Sequence, residues 1–330
     1  MLLVCCLFGR FKIVFLPQNW RFVKVYNSLE EFSRLENAVV TIGTFDGVHI
    51  GHRHIIQRLT ELARQTNGQT VVLTFFPHPR MVLQPDDNNL KLITTMQERE
   101  QLLRAMGVDH LIVQPFDKEF SRLSATEFVR DLLVNRIGMK TLVIGYDHHF
   151  GRNREGSYKD LEEMAPLYGY RLEEIPEQVV SEVAVSSTKI RQALIAGDVA
   201  TAGKLLGHDF TITGSVERGD QIGRTIGFPT ANIGVKEGYK LIPADGIYAV
   251  RIVLNEKALK GMLYIGNRPV VNGTKQNIEV NIFDFDEEIY GQSLVVKLVA
   301  RLRDEKKIQT LDELKELLEE DRLNATKILG

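Results

Sequence analysis

The apolar pattern of the chain changes near residue 205. Before this point, short apolar runs such as 38–43 alternate with amphipathic segments such as 52–66, in which apolar residues recur at helical spacing. After it, apolar runs follow one another with turns between them, and a helical pattern returns only at the C-terminus. Regular β–α alternation predicts a parallel sheet with helices on both faces, whereas helix-free runs predict an antiparallel barrel or sandwich. We therefore predict a doubly wound α/β domain over 23–205 and an all-β domain with a C-terminal helix over 206–330.

Composition narrows the class of protein further. A length of 330 residues fits two domains, and a net charge of -2 argues against a nucleic-acid partner. The only cysteines are the neighbours Cys5 and Cys6, which form neither a disulfide framework nor a zinc cluster, so we expect a cytoplasmic protein. Residues 1–22 have apolar runs broken by Arg10 and Lys12 and resemble neither a signal peptide nor a membrane span. We predict that they lie outside the fold and that the protein has no membrane partner; the sequence makes no prediction about oligomeric state.

The first predicted strand leads into a glycine-rich turn that carries three of the chain's eight histidines. Such a cluster can hold a metal ion, contact phosphate groups, or be a turn with incidental histidines. A metal site is disfavoured, because the glycines between the ligands would leave it poorly held. A turn that starts a helix places backbone N–H groups and a positive dipole next to an anion. We predict phosphate contacts from His49 and His52, with His54 on the helix surface. The other predicted phosphate-binding residues of the turn are Gly43, Phe45, Asp46 and Gly51.

A second helix start, "SSTKIR" at 186–191, supports phosphate chemistry. Lys189 and Arg191 lie in the first turn, where cations normally oppose the helix dipole, and a bound polyphosphate would explain their presence. An ordinary N-cap followed by solvated charges is the alternative. We predict that Ser187, Thr188 and Lys189 bind phosphate and that Arg191 takes part in catalysis.

Four motifs in order resemble the FMN adenylyltransferase module of bacterial FAD synthetases, within the nucleotidyltransferase superfamily. They are "GTFDGVHIGH", "TFFPHP", "VIGYDHHFGRNREG" and "SSTKIR". The resemblance implies that the phosphate of FMN attacks the α-phosphate of ATP and that pyrophosphate leaves, without a covalent enzyme intermediate. It also implies catalysis by positioning and charge stabilisation from His49, His52, Lys189, Arg191 and Mg²⁺. We predict flavin or ribose contacts from Asp147, Phe75, Pro77 and Pro79.

The richest stretch of the C-terminal half is "GDQIGRTIGFPTANIG" at 219–234. Gly219, Gly223 and Gly227 allow a loop to wrap closely over a ligand. The stretch has no Walker lysine and no strand–loop–helix context, so phosphate binding must use backbone N–H groups and a metal ion. Thr230 and Asn232, two residues apart on an extended segment, point the same way and suit one hard cation. A glycine-rich turn of a barrel without a ligand is the alternative.

A candidate general base follows in "NIEVNIFDF" at 277–285. Glu279 lies on the face of its strand that is opposite to the β-branched residues. It is either a solvent-facing carboxylate or a general base. This strand and the preceding loop resemble the riboflavin kinase domain, a small β-barrel. The resemblance implies that Thr230 and Asn232 help to hold Mg²⁺–ATP, and that Glu279 activates the ribityl hydroxyl of riboflavin for attack on the γ-phosphate.

The two resemblances reinforce each other, because a kinase that makes FMN is followed in metabolism by an adenylyltransferase that consumes it. We therefore predict a bifunctional enzyme with ATP, riboflavin and FMN as substrates and Mg²⁺ as cofactor. An aminoacyl-tRNA synthetase also carries a "HIGH" motif, but it would need a tRNA-binding domain and usually a basic surface. A flavin- or RNA-binding regulatory module without activity is a rival of another class. It would be expected to have lost His49, His52, Thr230, Asn232 or Glu279, and all five are present.

Overall fold

A computed structural model describes most of the chain. It covers residues 23–84, 90–145, 149–175, 185–219, 223, 226–270, 273–306 and 309–330, with the backbone alone at 267–270 and 273–275. The extension predicted at 1–22 lies outside these described residues. Within them, every helix is too short or too polar to span a lipid bilayer.

The N-terminal half is built on a six-stranded parallel sheet, as the β–α alternation predicts. The strands are β1 (Lys24–Tyr26), β2 (Ala38–Ile42), β3 (Gln69–Phe76), β4 (His110–Pro115), β5 (Met139–Gly145) and β6 (Arg171–Ile175). Their order across the sheet is β1-β4-β3-β2-β5-β6. The order reverses at β2, which lies between β3 and β5, and ligands of such sheets bind beyond the carboxyl ends of the strands at this point.

Helices cover both faces of the sheet. They are α1 (Ile50–Gln65), α2 (Pro79–Leu83), α3 (Met96–Ala105), α4 (Ala125–Glu127), α5 (Tyr158–Tyr168), α6 (Ser187–Ile195) and α7 (Val199–Leu206). The α4 turn continues directly as a π-helix, Phe128–Ile137. Successive strand residues point to opposite faces. Val39 packs with Leu59 of α1, whereas Val40 packs with Leu133 of the π-helix. The prediction of a doubly wound domain is confirmed.

The C-terminal half is a closed antiparallel barrel. Of the two predicted alternatives, barrel and sandwich, the barrel is therefore correct. Its strands are β7 (Phe210–Glu217), β8 (Ala231–Gly234), β9 (Gly246–Leu254), β10 (Lys257–Val270), β11 (Gly273–Ile282) and β12 (Ser293–Arg303). The order around the barrel is β10-β11-β8-β7-β12-β9. A terminal helix, α8 (Leu311–Leu329), begins at Thr310, whose hydroxyl accepts a hydrogen bond from the backbone N–H of Glu313. The buried pair of Arg303 and Asp321, 2.8 Å apart, fixes this helix to the barrel.

The two halves share one apolar core. Ile190 of α6 and Leu206 of α7 belong to the same buried cluster as Phe210 of β7 and the barrel interior. Leu92, between α2 and α3, also bonds to the barrel half: its N–H donates to the carbonyl of Tyr239 at 2.7 Å, and its carbonyl accepts from the N–H of Leu241 at 2.8 Å. The two halves are therefore packed together through α6, α7 and the segment before α3.

Candidate active sites

The turn after β2 is built from left-handed backbone conformations. Phe45, Gly47 and Val48 have φ angles of 46°, 84° and 40°. A Cβ atom on Gly47 would lie 3.1 Å from side-chain carbons of Ile93 and Leu206, so neither its backbone conformation nor its surroundings suit a larger residue. The chain thus folds back over the carboxyl end of β2 and presents the start of α1 to the crevice.

Asp46 is fully buried in this turn, and its carboxylate is surrounded by donors of the protein. It accepts hydrogen bonds from the backbone N–H groups of Ile93 and Thr94, both at 3.0 Å, and from the Nη2 of Arg191 at 2.7 Å. Burial alone would raise the pKa of Asp46, but the charges of Arg99 and Arg191 and the two backbone bonds lower it below its usual value. We expected a phosphate contact from Asp46. Its carboxylate instead fixes Arg191 and the segment before α3, because these protein donors occupy its oxygens.

The two predicted histidines lie together at the N-terminus of α1. His49 is the N-cap, and its Nδ1 accepts a hydrogen bond from the backbone N–H of His52 at 3.4 Å. The proton of the neutral ring is therefore on Nε2. The two rings are stacked with centroids 3.6 Å apart. Burial lowers the pKa of His49 to about 4 and that of His52 well below its usual value. At neutral pH both rings are therefore uncharged in the free protein, and a neutral imidazole can still donate one hydrogen bond.

Helix α6 starts beside the same turn. Ser186 is its N-cap and accepts a hydrogen bond from the N–H of Lys189 at 3.3 Å. The hydroxyl of Ser187 donates to the carbonyl oxygen of Asp46 at 3.1 Å, which joins the two helix starts. Thr188 and Lys189 are exposed in the first turn of α6. Two helix N-termini with their free N–H groups therefore meet at one place, an arrangement that favours an anionic ligand.

A cavity of about 1010 Å³ opens at this edge of the sheet. Its volume lies at the upper end of the range for small-molecule sites, enough for two ligands side by side. Its lining includes residues of the two helix starts and of the turn before α1: Gly43, Phe45, His49, Gly51, His52, Ser186 and Ser187. It also includes many aromatic and basic side chains: Phe75, Phe116, Phe120, Phe128, Phe150, Arg80, Arg122, Arg152 and Arg154.

The predicted flavin-binding residues that the structure describes do not all line the cavity. Phe75 and Pro79 line the cavity, but Pro77 is exposed and does not line it. Asp147 lies outside the described residues.

His78 was not among the predicted site residues, but it also lines the cavity. His78 is the N-cap of α2: its Nδ1 accepts from the N–H of Arg80 at 3.2 Å, and burial lowers its pKa to about 4. Arg152 and Arg154 were missed in the same way. The signal was present, since His78 lies in the motif "TFFPHP" and both arginines lie in "VIGYDHHFGRNREG". Roles were predicted only for Phe75 and the two prolines of the first motif and for Asp147 of the second.

The second predicted site lies on the barrel, where it brings together residues that are far apart in the sequence. Glu279 of β11 is directly opposite Asn232 of β8. The hydroxyl of Thr230 donates to the Oε2 of Glu279 at 3.0 Å, and the amide of Asn277 donates to its Oε1 at 2.7 Å. A Cβ atom on Gly219 would lie 2.0 Å from the Nδ2 of Asn232, so the chain at Gly219 passes too close for a side chain. Polar groups from three segments thus face one place on the barrel wall.

The glycine-rich loop beside this site is described in part. A Cβ atom on Gly223 would lie 2.3 Å from the carbonyl oxygen of Phe228, and Gly227 has a φ of 83°. Residues 220–222 and 224–225 lie outside the described residues. A cavity of about 200 Å³ adjoins the loop. Thr230 is at its edge, and Phe285, Ile289 and Tyr290 are among its apolar walls. In the described part of the chain, no cluster of three or more His, Cys, Asp and Glu side chains suits a metal ion.

Comparison with known proteins identifies the class of enzyme. The FAD synthetase family model matches residues 31–189, and the riboflavin kinase family model matches 206–329. With the two sites described above, these matches define a two-domain transferase that uses ATP at both domains.

Curated relatives place the chain more narrowly. The bifunctional riboflavin kinase/FMN adenylyltransferase of Escherichia coli (strain K12) is 40% identical over 296 residues, which cover 89% of this chain and 94% of the relative. Its counterpart in Bacillus subtilis (strain 168) is 34% identical over 295 residues, 88% of this chain and 92% of the relative. The chain belongs to the family of bifunctional riboflavin kinase/FMN adenylyltransferases. It phosphorylates riboflavin to FMN and adenylylates FMN to FAD, as the sequence predicts, and is neither a tRNA synthetase nor an inactive binding module.

A solved structure has the same arrangement of both halves. The crystal structure of a protein from Streptococcus pneumoniae, named there a macrolide-efflux protein, superimposes with a TM-score of 0.83 and 32% sequence identity. The match covers 92% of this chain and 99% of the other. A parallel sheet joined to a barrel in this way is therefore also found by crystallography.

Proposed function

We propose that the large cavity at the starts of α1 and α6 is where FMN is adenylylated, and that residues 23–205 form the domain for this reaction. The observation that carries the proposal is the convergence of two helix N-termini with the neutral rings of His49 and His52 on one cavity. Uncharged imidazoles, backbone N–H groups and helix dipoles stabilise an anion without a fixed lysine. The aromatic side chains that line the cavity, which include Phe75, suit the planar isoalloxazine ring of a flavin.

In this site an oxygen of the FMN phosphate attacks the α-phosphorus of ATP. The bond from that phosphorus to the oxygen bridging the α- and β-phosphates breaks, so pyrophosphate leaves with the electron pair and FAD forms. The Nε2–H of His49 donates a hydrogen bond to a phosphate oxygen, and the N–H groups at the start of α6 bind the leaving pyrophosphate. Arg191 contributes positive charge while its contact with Asp46 holds it in place. Catalysis is then a matter of positioning and charge stabilisation.

We propose that riboflavin is phosphorylated at the wall of the barrel, in a domain of residues 206–330. The carboxylate of Glu279 removes the proton of the ribityl hydroxyl as that oxygen attacks the γ-phosphorus of ATP, and ADP leaves with the electron pair of the bridging bond. Asn277 and Thr230 each donate to one oxygen of Glu279, which holds the carboxylate in a fixed orientation.

Mg²⁺ belongs to this proposal as a companion of ATP. The oxygens of Thr230, Asn232 and Glu279 lie on adjoining segments, and such hard oxygen donors suit an ion that takes most of its ligands from water and substrate phosphates. When bound, the ion neutralises charge on the phosphates. We further propose that both reactions take place in the cytoplasm without a nucleic-acid or membrane partner, as the two cysteines and the net charge of -2 favour.

The two site assignments are tested with single variants of the purified enzyme, by chromatography of the flavins formed from ATP, Mg²⁺ and either riboflavin or FMN. His52→Ala should abolish FAD formation from FMN and leave FMN formation from riboflavin intact. Glu279→Ala should lower FMN formation by about 10²–10⁴-fold, the usual contribution of a general base, and leave the conversion of supplied FMN intact.

A matched control is His54→Ala, a histidine on the same helix that does not line the cavity. It should retain both activities. If a folded His52→Ala or Glu279→Ala protein lost both reactions, or neither, the assignment of one reaction to each site would be wrong.

A further inference from the structure

The turn that carries His49 is held by the short segment in front of α3. Asp46 accepts hydrogen bonds from the N–H groups of Ile93 and Thr94, both at 3.0 Å, and the N–H of Gly47 donates to the hydroxyl of Thr94 at 3.0 Å. The position of the turn therefore depends on the position of the peptide between Ile93 and Thr94.

Lys240 holds this peptide from the other half of the chain. Its ammonium group donates to the carbonyl of Ile93 at 2.7 Å, to the carbonyl of Thr211 at 2.6 Å and to the carboxylate of Glu98 at 2.5 Å. These contacts use all three N–H donors of the group. The carbonyl of Ile93 and the N–H of Thr94 belong to one peptide plane, so that plane is fixed on one side by Lys240 and on the other by Asp46.

Glu98, the ion-pair partner of Lys240, also has hydrogen bonds to both of its carboxylate oxygens. Besides Lys240, the carboxylate of Glu98 accepts from the N–H of Thr95 at 2.9 Å and from the N–H of Thr213, in β7, at 3.0 Å. The side chains of Lys240 and Glu98 are 1% and 3% exposed. A buried ion pair is a poor source of stability, because desolvation offsets the attraction, but it does fix the relative position of the elements that it joins. Here it joins α3 to two segments of the barrel half.

We propose that Lys240, a residue of the kinase half, is a positioning residue of the adenylyltransferase site. It fixes the peptide of Ile93 and Thr94, and through it Asp46, the His49 turn and Arg191. The inference rests on the proposed assignment of adenylyl transfer to the large cavity. The barrel half then has two roles: it holds the adenylyltransferase site in position, and it carries out the kinase reaction.

The test uses the full-length double variant Glu98→Gln/Lys240→Met. Lys240→Met alone would leave the Glu98 carboxylate buried without its charged partner and is expected to be strongly destabilising. In the double variant both charges are removed, and the one oxygen of the glutamine can keep one of the two backbone N–H bonds that Glu98 makes through separate oxygens. We expect kcat/KM for FAD formation from supplied FMN to fall by about 10- to 100-fold, the effect of a small misplacement of catalytic groups.

The kinetic constants separate positioning from a general loss of structure. The KM for ATP should rise, or kcat fall, in the adenylyl reaction alone, and the KM for ATP in the kinase reaction should stay as in the wild type. The matched control is Lys91→Met. Lys91 is also a lysine of the domain contact and donates to the carbonyl of Gly238 at 2.5 Å, but it is exposed. Both activities of Lys91→Met should stay within about twofold of the wild type, as for most surface substitutions.

A folded double variant with unchanged FAD formation, or with equal losses in both reactions, would overturn the proposal. If the double variant does not fold, Lys240→Arg replaces it, because Arg keeps the charge but its planar group cannot repeat the three bonds of an ammonium. Lys240→Arg with wild-type constants for both reactions would then overturn it. His52→Ala is assayed in parallel. If that variant still forms FAD, the assignment of adenylyl transfer to the large cavity fails, whatever the result for the Lys240 variants.

Discussion

His49 and His52 lie where phosphate is proposed to bind, and both rings are neutral in the free protein. A charged ring in this place would be disfavoured by burial and by the neighbouring guanidinium groups of Arg99 and Arg191. A neutral ring still donates one hydrogen bond and does not need to lose a proton when ATP departs. The sequence pattern predicted hydrogen-bonding histidines at a helix start. Their protonation state depends on burial and could not be read from the pattern.

The pH dependence of stability follows from the His49 pKa. Between about pH 6.5 and 4 the unfolded chain takes up a proton at His49 and the folded protein does not, so the free energy of unfolding falls as the pH falls. The slope is at most about 1.4 kcal/mol per pH unit for one histidine. In His49→Asn, whose side chain can still cap α1, denaturant unfolding between pH 4.5 and 6.5 should show a smaller slope. An unchanged slope would mean that folding does not lower the pKa of His49.

Asp46 shows the limit of residue-level prediction. Its motif indicated a phosphate site, but the partners that define its role, Ile93 and Arg191, are 47 and 145 residues away in the sequence. A carboxylate next to a proposed anion site has a physical explanation only when the hydrogen-bond donors that surround that carboxylate are known. The same holds for Glu279, whose contact with Thr230 spans 49 residues. The resemblance to known motifs suggested that Thr230 and Glu279 act together, and the fold places them in contact.

Among the elements, the central strand β2 was predicted well because it is a continuous apolar run that is buried along its whole length. The predicted run 38–43 corresponds to β2, Ala38–Ile42. The short edge strand β1 was not predicted, since three residues carry too little pattern. The sequence pattern of the π-helix is that of an ordinary helix. Its buried residues Val129, Leu133 and Ile137 are four apart, a spacing that does not distinguish the two forms.

The turn between β2 and α1 gives a prediction at this scale. Gly47→Ala should destabilise the protein by about 1–2 kcal/mol for the left-handed conformation, and further because the methyl group meets Ile93 and Leu206. FAD formation should fall and kinase activity should remain. Gly107→Ala is the matched control: Gly107 also has a positive φ of 81°, but nothing lies within 4 Å of its Cβ position. Thermal unfolding of both variants checks this, and equal losses of stability would contradict the role given to the close contacts.

At the scale of the whole molecule, the sequence predicted two halves with different architectures but not how they meet. The contact depends on single residues, such as Lys240 against Glu98 and Leu92 between Tyr239 and Leu241, that no local pattern distinguishes from surface positions. Helix α6, whose start was predicted with the N-terminal half, and helix α7, which was not predicted, share the apolar core of the barrel. The two halves therefore share one apolar core, although we propose that each half carries out its own reaction.

We propose that one chain carries two separate sites whose reactions follow each other. Mixing purified His52→Ala and Glu279→Ala proteins with riboflavin, ATP and Mg²⁺, and following the flavins by chromatography, tests this separation. Neither variant alone should make FAD from riboflavin, whereas the mixture should make FMN and then FAD, because each protein keeps the site that the other lacks. FAD formation by either variant alone, or a mixture that forms no FAD although each partner performs its own reaction, would contradict the account.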